Sequence, residues 1–453
     1  MQMNEYLSTL TEQIRCRKAH PMIEEEYRAH IEEQMEDYVR CGMEQKEAEE
    51  AAVAQMGDPV EAGVALDRVH RPKLCVSVIF AILFLTVVGI VMQAVMFADV
   101  QNEVVQNEYL MRSIIYNLIG LGVMALVCYM DYSFLYKHAL GLCMAWYAVI
   151  FASVFFGVPF DYHARFTLFY HITVLFYPLY AACMFRYRNQ GAAGFVKSVA
   201  LALPAAFLML QAPGATKIFE FYILMLMLFT VAFLKGWFGR KGLLKTVLMW
   251  MFAIGAPVIR ILRILNAPNS AYGYRAARLK AFIHPEAYAE EAGYTAMQIR
   301  DILSGIRLSG SAQMIGDKLP NAYNDFILIG IFAYFGAIVG ILVCAAFLFF
   351  FVRVFAISFK QKNQLAMMIG TACALELFLR SVIYALSDFG VCPLTQMCMP
   401  FMSYGLWSAL SNAVLTGLLL SIYRYEDVLS EKQMRTFPHY RLRIKLEKAD
   451  PVS

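Results

Sequence analysis

Residues 325–352 read DFILIGIFAYFGAIVGILVCAAFLFFFV, and only the first of them carries a charge. An α-helix rises about 1.5 Å per residue, so roughly 20 apolar residues cross a hydrocarbon layer of about 30 Å. An apolar run of this length is longer than the helices of most soluble cores need. The stretch therefore predicts a transmembrane helix that begins at Asp325.

Similar apolar runs recur from Leu74 onward. Ten spans are predicted, at residues 74–97, 112–130, 137–158, 168–185, 193–210, 217–236, 243–264, 325–352, 364–386 and 400–423. The composition agrees, since 60% of the 453 residues are hydrophobic and only 16% are charged. Isolated spans in lipid must satisfy their own backbone hydrogen bonds, which favours helices. The predicted fold is all-α: a polytopic membrane protein with ten transmembrane helices and a small N-terminal cytosolic helical domain.

Charge divides the chain into a head and a membrane body. Residues 1–73 have a balance of −7, whereas the remainder has a balance of +11. The predicted domains are a cytosolic helical prefix domain at 1–73, the membrane domain at 74–424 and a basic cytosolic tail at 425–453. In the prefix domain, Asp58, Pro59 and Glu61 form a helix-start pattern. This domain resembles the helical prefix found ahead of several Gram-positive membrane proteins, and the alternative is a solvated adaptor of three or four helices.

The positions of Lys and Arg predict the orientation. Basic residues cluster in alternate short loops, as expected of cytosolic loops, at Lys137, Arg186, Arg188, Lys235, Arg240, Lys241, Lys245, Arg353, Lys360 and Lys362. The first 30 residues contain no apolar segment typical of a signal peptide. Both termini are therefore expected in the cytosol of a multi-pass cell-membrane protein, and residues 265–324 on the opposite side.

The loop at 265–324 is far longer than a connection between two spans requires, and long loops are often functional. Its basic residues run against the orientation rule, and the candidates for binding an anionic head group are Arg275, Arg278 and Lys280. Guanidinium and ammonium groups suit a pyrophosphate. The alternative is a solvated loop that happens to be basic.

Four segments resemble motifs of the FtsW/RodA/SpoVE family, also called the shape, elongation, division and sporulation family. Tyr274–Leu279, followed by Gly293, Tyr294 and Gln298, is similar to Y-R-x-x-R-L…G-Y-Q-x-x-Q. Ser311-Ala312-Gln313 is similar to S-x-Q. Leu319–Ile327 (LPNAYNDFI) resembles L-P-E-x-H-T-D-F-I, and Met399–Gly405 (MPFMSYG) resembles L-P-F-I-S-Y-G.

The resemblance implies a peptidoglycan glycosyltransferase that polymerises lipid II on the outer membrane face, in cell-shape, division or sporulation wall synthesis. It implies Asp325 as the catalytic residue and a class B penicillin-binding transpeptidase as the partner. The lipid substrate would be undecaprenyl-linked. Substrate contacts are expected from Arg275, Arg278, Lys280, Gln298, Ser311, Gln313, Ser403 and Tyr404. Alternatively, Asp325 only caps its helix, and Ser403 and Tyr404 only form a helix-start turn.

The chemistry of glycosyl transfer agrees with a carboxylate at position 325. A base must accept the proton of the attacking hydroxyl, and positive charge must stabilise the departing pyrophosphate. Poor solvation at a membrane interface raises a carboxyl pKa, whereas a helix N-terminus lowers it. Arg, Lys or a divalent cation could supply the positive charge. No spacing of ligand residues predicts a metal site, and no cofactor is predicted with certainty.

Several departures from the family motifs leave other functions open. Ala333 and Tyr334 replace a Glu-Glu pair, and Met314 replaces a basic residue. One alternative is a flippase for lipid-linked precursor, which would depend on the intramembrane charges Glu376 and Arg380. These two side chains share a helix face and are predicted to form an ion pair. The other alternative is a non-catalytic scaffold of a wall-synthesis complex, with the prefix domain as its docking piece.

Overall fold

The computed structural model describes residues 1–98, 103–155, 169–210, 216–239, 242–266, 280–288, 293–310, 319, 322–392 and 398–429. Within these ranges all regular structure is helical and no strand occurs. Contacts divide the chain into two compact units, one built on Met1–Pro72 and the other spanning Lys73–Glu426. Residues 427–429 group with the first unit.

The first unit contains four helices, α1 Met3–Glu12, α2 His20–Arg40, α3 Gln45–Gln55 and α4 Pro59–Val69. Its core is formed by buried apolar side chains, among them Tyr6, Leu10 and Ile31. Helix α4 starts as its sequence predicts, because the Asp58 side chain accepts a hydrogen bond from the backbone N–H of Val60 at 3.0 Å. This bond satisfies one of the backbone donors that a helix N-terminus leaves unpaired.

The second unit follows the chain through fourteen labelled helices. They are α5 Val76–Ala98, α6 Glu103–Tyr129, α7 Ser133–Lys137, α8 Ala139–Phe155, α9 Phe176–Tyr187, α10 Gly191–Leu210, α11 Thr216–Leu234, α12 Leu243–Asn266, α13 Tyr294–Ser304, α14 Ala322–Asp325, α15 Ile327–Phe335, α16 Ala337–Lys360, α17 Gln364–Asp388 and α18 Leu406–Arg424. Short helical segments also occur at 169–173 and 280–283, and a 3₁₀ turn at Pro285–Tyr288.

Seven described helices are long and apolar enough to cross a membrane. They are Val76–Phe97, Asn107–Tyr129, Gly191–Leu210, Lys217–Leu234, Ala337–Lys360, Gln364–Asp388 and Leu406–Arg424. Shorter apolar helices occur at Ala139–Ser153 and Leu243–Gly255. The polytopic all-α fold is confirmed, whereas the predicted number of ten spans is not.

The span predicted at 325–352 is wrong at its start. Asp325 ends the one-turn helix α14, and the membrane-length helix begins only at Ala337. Gly336 separates α15 from α16 with φ 88°, a conformation that favours glycine. Backbone carbonyls of Arg307 and Leu308 accept hydrogen bonds from the first N–H groups of α16 at 2.9 and 3.2 Å. The loop before α14 thus caps the helix that apolar content alone had extended to residue 325.

Helix α17 is the most fully buried of the seven spans. It packs against α9, α11, α16 and α18. Polar groups on a helix enclosed in this way face protein rather than lipid, which is where ionisable residues are tolerated within a membrane. The position of α17 therefore allows its polar face to build sites inside the second unit.

Candidate active site

Asp325 lies at the end of α14, in the connection that leads to α15. Its side chain is half-buried, and burial raises the pKa of the Asp325 carboxyl from its ordinary 3.8 to about 6. The carboxylate oxygen Oδ1 accepts a hydrogen bond from the Asn324 side-chain amide at 3.2 Å. Among the described residues no cation lies within ion-pair distance of it. A carboxyl with a pKa near 6 is largely ionised at pH 7 and basic enough to accept a proton.

The backbone beside Asp325 is fixed by two hydroxyl groups. Tyr384 and Ser403 each donate a hydrogen bond to the Asn324 carbonyl oxygen, both at 3.1 Å. The Tyr384 hydroxyl also accepts one from the backbone N–H of Ile327 at 2.9 Å. One tyrosine of α17 thus connects the residue before Asp325 to the start of α15, and a serine from the segment before α18 reaches the same carbonyl.

A second side chain of α17 caps α15. Asp388 Oδ2 accepts a hydrogen bond from the backbone N–H of Ile329 at 2.9 Å. The residue preceding α15, Phe326, makes no cap with its own side chain. The orphan donors at a helix N-terminus need acceptors, and here α17 supplies them across the fold. Helix α17 therefore fixes both the residue before Asp325 and the start of α15.

The segment before α18 has an unusual backbone. Phe401 adopts a left-handed conformation with φ 66°, and Gly405 has φ 139°. Ser403 Oγ accepts a hydrogen bond from the backbone N–H of Met399 at 2.7 Å, which closes the turn. A bulky residue in the left-handed region costs on the order of 1–3 kcal/mol, and such strain tends to occur at functional sites.

Tyr404, a predicted substrate contact, packs against α6 rather than against Asn324. Its ring centroid lies 5.6 Å from that of Tyr109 and 5.8 Å from that of Tyr116. Burial, followed by the neighbouring Tyr116, raises the pKa of Tyr404 to about 12. Two adjacent residues of one motif thus make different contacts, because Ser403 reaches the Asp325 segment and Tyr404 packs in an aromatic cluster.

The long loop contributes a helix beside the candidate site. Helix α13 packs on α15 through a cluster that includes Ile299, Ile302, Phe326 and Ile329. Gln298 lies on α13 and is half-buried. The remaining predicted loop residues, Arg275, Arg278, Ser311 and Gln313, lie outside the described residues. Lys280 begins the helical segment 280–283 and is half-buried.

The ion pair predicted between Glu376 and Arg380 is wrong. Both side chains are buried on the same face of α17, but Arg380 Nη2 donates to the Asn412 side-chain oxygen of α18 instead. Within the described part of the chain, neither carboxyl oxygen of Glu376 has a hydrogen-bond partner. The buried ion pair in this region joins Lys217 Nζ and Glu220 Oε2 of α11 at 2.8 Å. Arg380 is thus bonded to Asn412 of the neighbouring helix and not to the carboxyl of Glu376 one turn away on its own helix.

Sequence reasoning missed Tyr384 and Asp388, although a signal was available. Together with Glu376 and Arg380 they occur at every fourth residue of α17, and all four are buried. Polar residues at i, i+4, i+8 and i+12 in an apolar helix share a face. These four residues form a polar stripe on α17. The whole stripe, unlike the pair Glu376 and Arg380 alone, indicates that α17 faces the candidate site.

Comparison with known proteins shows which family this chain belongs to. A family model described as "Cell cycle protein", FtsW/RodA/SpoVE, matches residues 169–428, which is more than half of the chain. The chain belongs to the FtsW/RodA/SpoVE family. The matched range includes Asp325, the α17 stripe and the turn before α18.

Curated relatives carry the name probable peptidoglycan glycosyltransferase FtsW. The relative from Wigglesworthia glossinidia brevipalpis is 26% identical over 252 residues, which cover 52% of this chain and 62% of the relative. The one from Coxiella burnetii is 30% identical over 187 residues, covering 40% and 50%. The chain thus spans about half to three-fifths of the length of these two relatives.

Solved structures with the same fold cover more of the chain. The Rod shape determining protein RodA of Thermus thermophilus aligns with a TM-score of 0.53 at 15% identity, covering 78% of this chain and 98% of RodA. A chain from a structure titled as a peptidoglycan synthase complex aligns with a TM-score of 0.57 at 17% identity, covering 76% and 97%. At these identities the similarity establishes the fold.

Proposed function

We propose that this protein is a peptidoglycan glycosyltransferase that polymerises lipid II on the outer face of the cell membrane. The observation that carries the proposal is the Asp325 carboxyl, half-buried with a pKa of about 6 on a segment fixed by Tyr384 and Ser403. The names of the curated relatives support the same activity.

In the proposed reaction, a hydroxyl of the acceptor sugar attacks the anomeric carbon of the donor. The new glycosidic C–O bond forms as the bond from that carbon to the pyrophosphate oxygen breaks. Asp325 accepts the hydroxyl proton, and the undecaprenyl pyrophosphate departs with the bonding electron pair. The half-buried Asp325 carboxyl, with its raised pKa, would act on the attacking hydroxyl as the base.

The leaving pyrophosphate requires positive charge near the same site. We assign this to Lys280 together with Arg275 and Arg278, with a divalent cation as the alternative source. Gln298, Ser311 and Gln313 would contact the sugar or the phosphates, as would Tyr404. Ser403 instead positions the Asp325 segment through the Asn324 carbonyl.

The proposed setting follows from the same activity. The termini would be cytosolic, with residues 1–73 as a prefix domain, and residues 265–324 would face outward. A class B penicillin-binding transpeptidase would be the partner, since glycan strands need crosslinking. One neighbouring structure is titled as coordinating polymerization and crosslinking, which supports this pairing. The role would be in cell-shape, division or sporulation wall synthesis.

The test is polymerisation of lipid II by the purified protein, with and without its transpeptidase, read as glycan length on a gel. Asp325→Asn should insert normally but lose about 100-fold or more in rate, as expected for removal of a positioned base. Asp301→Asn on the exposed face of α13 is the matched control and should retain the wild-type rate. Near-normal polymerisation by Asp325→Asn would refute the base assignment.

One observation favours lipid-precursor transport as a second candidate. Lys217, Glu220, Glu376 and Arg380 are charged residue types buried within the membrane body, and such groups often mark transport pathways. A flippase would keep its function in Asp325→Asn and lose it in Arg380→Gln. The polymerase should show the opposite order of sensitivity, so one pair of variants separates the two functions.

A further inference from the structure

A group of ionisable side chains inside the membrane body plays no part in the proposed glycosyl transfer. Glu220 on α11 and Glu376 on α17 are both fully buried. Lys217 Nζ lies 2.8 Å from Glu220 Oε2, so one glutamate oxygen is paired. Three carboxyl oxygens, Glu220 Oε1 and both oxygens of Glu376, have no hydrogen-bond partner among the residues that the structure describes. Unpartnered polar atoms at this depth call for an explanation, because buried polar groups are almost always hydrogen-bonded.

The two carboxyls face each other across the α11–α17 contact. Helices α11 and α17 pack together, and Glu376 and Glu220 are electrostatic neighbours across that contact. Two ionised carboxylates that are neighbours inside a protein repel each other, and both have lost their hydration. A carboxylate oxygen is only an acceptor, so two ionised glutamates cannot satisfy one another. A single proton between them changes this, because one carboxyl then donates and the other accepts.

The surrounding groups decide which carboxyl holds the proton. From α11, Lys217 pairs with Glu220, and its ammonium also lies 5.6 Å from the Tyr170 ring centroid in segment 169–173. On α17, Arg380 directs Nη2 to Asn412 of α18. Among the described residues, the other titratable groups facing this cluster are Cys373 of α17, Tyr177 of α9, His171 of segment 169–173 and Cys398 before α18.

We propose that Glu220 and Glu376 form a proton-binding site within the membrane body, in which the two carboxyls share one proton at neutral pH. Lys217 Nζ pairs with Glu220 Oε2, which leaves Glu220 Oε1 as the acceptor that faces Glu376. Glu376 holds the proton and donates it to Glu220 Oε1, which removes two of the three unpartnered oxygens. This inference does not depend on the proposed glycosyl transfer.

The alternative state has both glutamates ionised, with Glu376 as the long-range counter-ion of Arg380. The two states predict opposite results for Glu376→Gln. If Glu376 is already neutral, the Gln amide N–H replaces the shared proton, and the thermal unfolding midpoint should stay within about 2 °C of wild type. If Glu376 is ionised, the same variant leaves the Arg380 charge uncompensated and should unfold markedly earlier.

The experiment compares purified full-length variants in lipid nanodiscs at pH 7. Lys217→Gln is the reference for a lost buried charge partner and should lower the midpoint by about 5 °C or more. Infrared spectra supply the second measurement. Wild type should show a carbonyl band of a protonated carboxylic acid that Glu376→Gln removes and that Asp325→Asn and Asp388→Asn leave in place. A midpoint of Glu376→Gln as low as that of Lys217→Gln, or no band that this variant removes, overturns the proposal.

Discussion

The hydroxyl of Tyr384 donates a hydrogen bond to the carbonyl oxygen of Asn324 at 3.1 Å. Through this bond the most buried membrane helix fixes the backbone immediately before the candidate base. The same hydroxyl accepts from the N–H of Ile327, so it bridges both sides of Asp325. Tyr384 is therefore a positioning residue, which acts on the site through the backbone.

Tyr384→Phe should lower glycan synthesis without preventing membrane insertion. The change removes the hydrogen bonds to Asn324 and Ile327 but keeps the ring. The Asp325 segment therefore loses these two bonds while its packing is retained. A loss of about 1–1.5 kcal/mol in positioning corresponds to a rate about 5–10-fold lower. The measurement is the rate of lipid II polymerisation across pH. The pH at which the rate reaches half its maximum should stay at the wild-type value because Asp325 itself is unchanged. A variant that loses activity by unfolding would not keep this pH dependence.

The control for this variant is Tyr294→Phe on α13, where the side chain is exposed. It removes a hydroxyl that makes no contact with Asn324 or Ile327. Its rate should equal that of wild type. Equal rates for Tyr384→Phe and wild type would mean that Ser403 alone holds the segment.

Gly417→Ala should destabilise the contact between α6 and α18. A Cβ atom at Gly417 would lie 2.7 Å from Val127 Cβ and 2.9 Å from the Met124 carbonyl oxygen, so the helices would have to separate. Small residues allow this close approach of membrane helices. Overpacking of this kind costs about 1–3 kcal/mol, measurable as a lower thermal midpoint. Gly122→Ala on α6, where no neighbour lies within 4 Å, should leave the midpoint unchanged.

Asp67→Asn should destabilise the unit built on Met1–Pro72. The buried carboxylate accepts hydrogen bonds from the Arg15 backbone N–H at 3.0 Å and from Arg71 Nη2 at 2.7 Å. The Arg15 bond, followed by Arg71, lowers the pKa of Asp67 below its ordinary 3.8. Asn keeps an acceptor but loses the charge, at a cost of about 1–3 kcal/mol at pH 7.

The sign of the pH effect follows from the lowered pKa of Asp67. The unfolded chain binds the proton more readily, so the stabilisation is present above pH 3.8 and is lost as the pH falls through the folded pKa. Hydrogen exchange of amides in residues 1–72, followed from pH 7 downward, should show wild type and Asp67→Asn converging. Asp37→Asn, which removes an exposed partner of Arg40, should behave as wild type.

The polytopic all-α fold could be predicted from the length of the apolar runs. This signal depends on local composition, because a spanning helix needs enough consecutive apolar residues to cross the hydrocarbon layer. The boundary at residue 325 failed because it is set by Gly336 and by loop carbonyls of Arg307 and Leu308, which are tertiary features. Apolar content cannot distinguish the buried helix α15 from the membrane-length helix that follows it.

The candidate site was predictable only in part. Asp325 and Ser403 came from motif resemblance, and the structure brings Ser403 to the Asp325 segment through Asn324. The partner of Arg380 could not be found from spacing, because Asn412 lies 32 residues away on another helix. Helix periodicity identifies which side chains share a face, whereas their partners depend on which helix packs against that face.

The final prediction concerns the pH dependence conferred by Asp325. Burial raises its pKa to about 6, so the basic form should appear, and the polymerisation rate should rise, as the pH increases through about 6. The raised pKa also means that the folded chain binds this proton more tightly than the unfolded chain, so ionised Asp325 destabilises the fold. The stabilisation that the protonated Asp325 carboxyl gives the folded chain is fully present below pH 3.8 and is lost as the pH rises through about 6. Asp325→Asn should therefore be inactive, match the thermal midpoint of wild type near pH 4 and exceed it at pH 8. A rate independent of pH between 5 and 7 would show that the carboxyl is not the base. A midpoint lower than wild type at pH 8 would show that burial does not penalise the ionised carboxyl.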